Sequence, residues 1–204
     1  MRVNKKKFIY LISPNKIYKN IFKDLQKVFE TGKIGFFQLR LKKYSFKHKI
    51  LIGKKIKNIC KKYRVKFLVN DDPILAKRLG ADGCHLGQKD INIKEARKII
   101  GKKIIGITCH NSITLAKIAI KAKASYLAFG AFYSSKTKKT KHVTDIKILN
   151  KIKKITKTPI VAIGGINSKN YKNLLLNNAN FLAISGYVWN NKKYKPLEAI
   201  ERLK

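Results

Sequence analysis

"VKFLVNDDPILAKRLGADGCHLGQKD", Val65 to Asp90, holds a strand–helix–strand unit. "VKFLVN" (65–70) is a short β-branched and aromatic run, and "GCHLG" (83–87) is a second. Between them, Asp72-Pro73 reads as a helix N-cap followed by proline at the first helical position, where its missing N–H costs nothing.

The same pattern recurs along the chain. "FIYLI" (8–12), "GFFQLRL" (35–41), "KIIGITC" (103–109), "YLAFG" (126–130), "PIVAIGG" (159–165) and "FLAIS" (181–185) complete a set of eight candidate strands. They read as nearly continuous apolar runs, as expected of parallel strands covered on both faces. Helical spacing puts Ile21, Leu25 and Val28 on one face, then Ile52, Ile56, Ile59 and Tyr63, then Leu115, Ile118, Ala119 and Ala122. "PLEAIERLK" ends the chain, with Pro196 in a first turn. Eight strand–helix units of about 25 residues predict an α/β fold, a compact (β/α)8 TIM barrel forming a single domain over 1–204. A doubly wound sheet is the competitor, but no GxGxxG follows the first strand and no Walker lysine loop occurs.

Composition excludes several classes. Lys and Arg number 48 against 10 Asp and Glu, a formal charge of +38, yet 45% of residues are hydrophobic, too many for a disordered polycation. The lysines lie along almost every polar face, without one patch and without interleaved stacking aromatics. That distribution argues for a lysine-rich solvent surface and against specific nucleic-acid binding. No apolar run approaches the roughly eighteen residues of a membrane span. The basic opening "MRVNKKKFIYLIS" has a short apolar run followed by Asn15, Lys16 and Lys19, unlike a signal peptide. Cys60, Cys84 and Cys109 are too scattered for a disulfide framework or a CxxC metal site and predict a reducing, cytoplasmic location.

In a barrel, chemistry collects where strands end and βα loops begin. The second strand ends in Gln38, Arg40 and Lys42, spaced by two and so on one face. The third ends in Asn70 and Asp71, and Gln88 and Asp90 follow the fourth. The fifth ends in Thr108 and His110. Of four acids between 71 and 90, Asp72 is assigned to a cap. Asp82 is assigned to a turn at the opposite end of the barrel. Asn92 with Glu95 forms a capping box, which leaves Asp90 outside that helix. Asp71 and Asp90 therefore share one mouth. Two carboxylates beside Asn and Gln suit a hard divalent cation such as Mg²⁺, which fills its other positions with water and phosphate oxygens. Arg40 and Lys42 beside them make a pyrophosphate arrangement. Gly164-Gly165 and Ser185-Gly186 fall at the seventh and eighth loops, where barrels often bind phosphate. The sixth loop, Ala131 to Thr144, carries Ser134, Ser135, Thr137 and Lys138 and is read as a lid over phosphates. Cys84 and Cys109 are read as core residues, His85 as a satisfied interior histidine, and Tyr187 and Trp189 as packing near the last loop.

"QLRLK", "VNDD", "GADGCHLGQKD", "IIGITCH", "YLAFGAFYSSKTKK", "VAIGGI" and "LAIS" stand in the order and spacing of thiamine phosphate synthases, which the chain resembles from about Gly35 to Gly186. The resemblance implies coupling of hydroxymethylpyrimidine diphosphate with hydroxyethylthiazole phosphate, with release of pyrophosphate. It further implies Mg²⁺ on Asp71 and Asp90, with pyrimidine-diphosphate contacts from Gln38, Arg40, Lys42, Asn70, Thr108 and Lys138. Arg40, Lys42 and Lys138 would act on the leaving group. Ser135 and Thr137, assisted by Gly165, Ile184 and Ser185, would hold thiazole phosphate. Thr108 stands where the family usually has serine, and the chain also departs at Leu41, at Lys89 and at "YSSKT". The implied partners are small molecules, with homo-oligomerisation left open. Two alternatives are a thiazole tautomerase with His110 as acid or base, and a decayed basic barrel that binds RNA.

Overall fold

The structure, a computed structural model, describes residues 7–134 and 143–204. Eight parallel strands close into a barrel in sequence order. They are β1 (Ile9–Ile12), β2 (Ile34–Leu39), β3 (Lys66–Asn70), β4 (Gly83–Leu86), β5 (Ile104–His110), β6 (Tyr126–Gly130), β7 (Ile160–Ile163) and β8 (Phe181–Ile184). Each coincides with one of the eight runs read from the sequence, to within two residues. Closure is by β1 against β8, with Leu11 opposite Ile184.

Nine helices are described: α1 (Ile21–Glu30), α2 (Phe46–Lys62), α3 (Pro73–Leu79), α4 (Ile93–Ile100), α5 (Ile113–Lys121), α6 (Lys147–Ile155), α7 (Tyr171–Leu176), α8 (Gly186–Trp189) and α9 (Pro196–Glu201). Their apolar faces and the outward side chains of the strands form one continuous buried layer. The first helical face is as spaced: Ile21, Leu25 and Val28 are all buried. The second is broader than spaced: Gly53, Ile56 and Cys60 are buried, and Ile52, Ile59 and Tyr63 pack half-buried against the same layer. The third is corrected. Ala116 and Ala119 are buried, whereas Ile118 is 61% exposed. The stretch "ITLAKIAI" is apolar nearly all round, so spacing alone does not select its buried line. The two alanines allow the helix to lie close on the barrel.

Local signals hold where a side chain has a specific polar job. The Asp72 carboxylate accepts from the Leu75 N–H at 2.8 Å ahead of Pro73. The Asn92–Glu95 capping box opens α4. Asp82 lies at the far end of the barrel, where it accepts from the Phe67 N–H (2.8 Å) and pairs with Lys66 (3.1 Å). Lys33 donates to the carbonyls of Ile200, Glu201 and Leu203, a cation at the end of α9 where helix carbonyls are left over. Asp72→Ala is expected to lower stability by about 1 kcal/mol, read as a shift in denaturant midpoint at unchanged slope.

A second, smaller cluster fills the barrel interior: Tyr10, Ile12, Leu68, Tyr126, Ala128, Val161 and Ala183, with Phe36, Ile104, Ile163 and Phe181 against them. Phe36 packs edge-on to Phe181 with centroids 4.9 Å apart, and Tyr10 stacks on Phe36 at 5.4 Å. This aromatic group is a floor beneath the polar strand ends. Gly106 makes room for it: a methyl group at that position would meet the Tyr126 ring at 1.8 Å.

No helix among the described residues is long and apolar enough to cross a membrane.

Candidate active site

The acids assigned to the mouth do meet. Asp71 follows β3 with φ of +63°, a left-handed conformation uncommon outside glycine. Strand alternation would send Asn70 and Asp71 to opposite faces. The left-handed turn ends that alternation and brings the Asp71 carboxylate to Lys42, 3.2 Å away, and beside Asp90. Its own N–H is held by the His85 carbonyl at 2.8 Å. Asp90 accepts from the Gly87 N–H at 2.7 Å, which fixes the carboxylate under the β4 loop. Burial raises the Asp90 pKa; the Gly87 N–H opposes this, the neighbouring Asp71 carboxylate adds to it, and Lys42 offsets part. Two facing carboxylates with one driven toward protonation form a donor set that a divalent cation would relieve. Among the described residues no group of three or more His, Cys, Asp or Glu gathers, so a cation here would rest on this pair.

Lys89 is exposed, and the cation acting on Asp90 is Lys42. Leu41 is buried in the outer core, which gives that departure a packing role. Arg40 engages the β1 side of the mouth, where Lys42 engages the β3 side: its guanidinium donates to Asn15 at 3.0 Å, and its N–H to the Ser13 hydroxyl at 2.9 Å. Ser13, 1% exposed, escaped the sequence reading. Its N–H donates to the Gln38 carbonyl and its carbonyl accepts from the Ser185 hydroxyl at 3.2 Å, so it joins β2 to the end of β8.

Beneath the acids runs a line of hydrogen bonds. Gln38, 2% exposed, donates its amide to the Tyr10 hydroxyl at 2.9 Å. Tyr10 meets Tyr126 at 2.7 Å, Tyr126 meets His85 Nδ1 at 2.8 Å, and His85 Nε2 meets the Thr108 hydroxyl at 2.8 Å. The Gln88 amide donates to the Thr108 carbonyl. Burial in the barrel lowers the His85 pKa to about 4 and keeps its ring neutral, against the pull of Asp90. His85 is thus a satisfied interior histidine, as read. Burial raises both tyrosines. Tyr10 and Tyr126 were missed because an aromatic in an apolar run reads as core. The available signal was Gly106, a glycine inside a strand.

One pH effect follows. The unfolded chain takes up a proton at His85 near pH 6.5, while the folded ring does so only near 4. Between those values the unfolded state binds more protons, so stability falls as pH drops through that window. The full shift would represent about 3 kcal/mol. Part of the residue faces the mouth, where water screens the charge, so about 2 kcal/mol is expected. His85→Phe should flatten the stability slope from pH 6.5 to 4 in denaturant titrations.

The remaining positions divide. Asn70 is the last residue of β3, in register with His85. Gly165, with φ of +63°, lies under the segment that leaves β6: an added Cβ would meet the Ser134 carbonyl at 2.4 Å. The Tyr133 N–H donates to the Gly164 carbonyl, and the Thr144 N–H to the Ala131 carbonyl at 2.7 Å, so the described ends of this loop are drawn together. Ile184 buries its side chain, leaving its backbone at the mouth. Ser135, Thr137 and Lys138 lie outside the described residues. His110 is exposed with φ of +50°. Burial raises the Cys84 and Cys109 thiols to about 12, as befits core residues. Trp189 packs at the last loop and donates to the Ile12 carbonyl at 2.6 Å.

Fold and mouth define a class: a (β/α)8-barrel enzyme with paired acids and basic groups gathered at its strand ends. Comparison with known proteins narrows this. The family model described as thiamine monophosphate synthase matches residues 9–188. The thiamine-phosphate synthase of Pelagibacter ubique (strain HTCC1062) is 66% identical over 207 residues, covering all of both chains. That of Erythrobacter litoralis (strain HTCC2594) is 39% identical, over 94% of this chain and 92% of the relative. The solved thiamine phosphate pyrophosphorylase from Pyrococcus furiosus superposes with a TM-score of 0.86 at 28% identity, over 98% of this chain and 95% of that one. The chain belongs to the thiamine monophosphate synthase family.

Proposed function

We propose that this protein is a transferase of thiamine biosynthesis that couples hydroxymethylpyrimidine diphosphate with hydroxyethylthiazole phosphate. The observation that carries this reading is the Asp71–Asp90–Lys42 group on adjacent strand ends, within a chain 66% identical to a thiamine-phosphate synthase over its whole length.

The C–O bond between the pyrimidine's exocyclic methylene and the diphosphate breaks, and its electron pair leaves with pyrophosphate. The thiazole nitrogen lone pair then closes the new C–N bond. Asp71 and Asp90 would hold Mg²⁺, which supplies charge neutralisation to the leaving pyrophosphate when bound. Lys42 and Arg40 add fixed positive charge at the same mouth, and Lys138 is assigned to that role by the family pattern. Lys42 already spans from β2 to the acid pair, so the leaving group would meet charge in place rather than recruit it. Gln38, Asn70 and Thr108 bind the pyrimidine diphosphate. Ser135 and Thr137, with Gly165, the backbone of Ile184, and Ser185, bind the thiazole phosphate. Holding both reactants in one mouth lowers the entropic part of the barrier. No step calls for a strong base, in keeping with a neutral His85 below the mouth.

The test is an assay of purified protein with both phosphorylated substrates. Thiamine phosphate and pyrophosphate should form together and only with Mg²⁺ present. Proton exchange on a thiazole phosphate without diphosphate consumption would instead establish the tautomerase. RNA retention that fades steeply with salt, with no turnover, would mark a non-catalytic polycation.

A further inference from the structure

The line Gln38–Tyr10–Tyr126–His85–Thr108 crosses the barrel from β2 to β5, and its hydrogen atoms can be counted. Gln38 gives an amide hydrogen to the Tyr10 oxygen. Each phenol has one hydrogen to give. If Tyr126 gave its hydrogen to Tyr10, the Tyr10 hydrogen would have only an NH₂ group to face, an unpaired donor in a buried site that costs about 1–3 kcal/mol. Tyr10 therefore donates to Tyr126 across 2.7 Å. Tyr126, having accepted, donates to His85 Nδ1 across 2.8 Å. A neutral imidazole carries one hydrogen, which must then sit on Nε2 and point at Thr108 Oγ1, 2.8 Å away. The Thr108 hydrogen is turned away from His85. If the Gln38 amide rotated by half a turn, every one of these donors would become an acceptor.

We propose that Tyr10, Tyr126 and His85 are positioning residues that couple the Gln38 amide to the Thr108 hydroxyl, so that the mouth presents an acceptor at Gln38 and a donor at Thr108 as one set. The ligand, an aminopyrimidine with both amino donor and ring-nitrogen acceptors, rests on the synthase reading; the direction of the chain does not. Gly106 is part of the device, because only a residue without Cβ leaves the Tyr126 ring its place in the line. Burial of the two phenols supports the same picture, since it keeps each hydrogen on its oxygen.

The decisive measurement is ¹⁵N NMR of histidine-labelled full-length protein, without ligand, at neutral pH. His85 should show a neutral ring with hydrogen on Nε2. Tyr10→Phe disconnects Gln38 while keeping the ring that packs the floor, and His85 should then populate both neutral tautomers. In the same variant, KM for the pyrimidine diphosphate should rise about tenfold, while KM for the thiazole phosphate stays unchanged. Hydrogen on Nδ1 in the unsubstituted protein, or an imidazolium there, overturns the proposal. So does a Tyr10→Phe variant with unchanged tautomer and unchanged KM, or one in which both KM values rise together. Absence of pyrimidine-diphosphate turnover in the unsubstituted protein would overturn the synthase reading instead, and would leave the tautomer result standing.

Discussion

Asp90→Ala is expected to lower pyrophosphate release by about a thousandfold or more, with the fold retained. Asp90 is not needed to build the barrel. The helix that follows it, α4, is capped by Asn92 and Glu95, and the Asp90 carboxylate accepts from the Gly87 N–H and lies against the Asp71 carboxylate. Its substitution removes a carboxyl whose protonation is already favoured by burial and by Asp71, so stability should change little. Loss of the same magnitude is expected of Asp71→Gly. That variant is the sharper control, because glycine accommodates φ of +63° better than aspartate does. It should be as stable as the parent, or more so by about 1 kcal/mol, while losing turnover. Pyrophosphate release would be followed with Mg²⁺ titrated from zero, alongside thermal unfolding with and without the metal. Undiminished release in both variants would remove these carboxylates from the chemistry.

Gly106→Ala is expected to cost about 2–3 kcal/mol and to weaken use of the pyrimidine diphosphate in the molecules that remain folded. The added methyl group would fall within the Tyr126 ring, with Cζ, Cε1 and Cε2 all within 2.3 Å of its position. Either the ring or strand β5 has to move. If the ring moves, its hydroxyl leaves both Tyr10 and His85. If β5 moves, Thr108 moves with it. The measurements are the denaturant midpoint and KM for each substrate. A midpoint equal to the parent's would show that the barrel interior takes up the methyl group without displacing either the ring or the strand.

The sequence made the architecture readable because each of its marks has a local cause. Eight β-branched runs are each separated by enough chain to return as a helix. Asp72 and Asn92 punctuate helix starts through bonds formed within a few residues, and Pro196 does so through its fixed φ in the first turn. The mouth was readable to a lesser depth. Barrel geometry places any residue at a strand's C-terminal end in one of a few positions, so Gln38, Arg40, Lys42, Asp71, Asp90 and Thr108 could be grouped from order alone. Contacts made only when the sheet closes were not readable. Tyr10 and Tyr126 are 116 residues apart and share a hydrogen bond because β1 and β6 face each other across the interior. Ser13 carried no mark at all, although it accepts from the Arg40 N–H and from the Ser185 hydroxyl. Ile118 was assigned inward for the opposite reason: in α5 too many positions are apolar for spacing to choose. The left-handed turn at Asp71 was also hidden, since nothing in "VNDD" tells the chain to break alternation there.

The aromatic floor makes the barrel a cup rather than a tube. With Tyr10, Phe36, Tyr126 and Phe181 filling the interior, traffic has a single opening, the one rimmed by the acids and lysines. Entry and departure are thus confined to the one face that carries the chemistry.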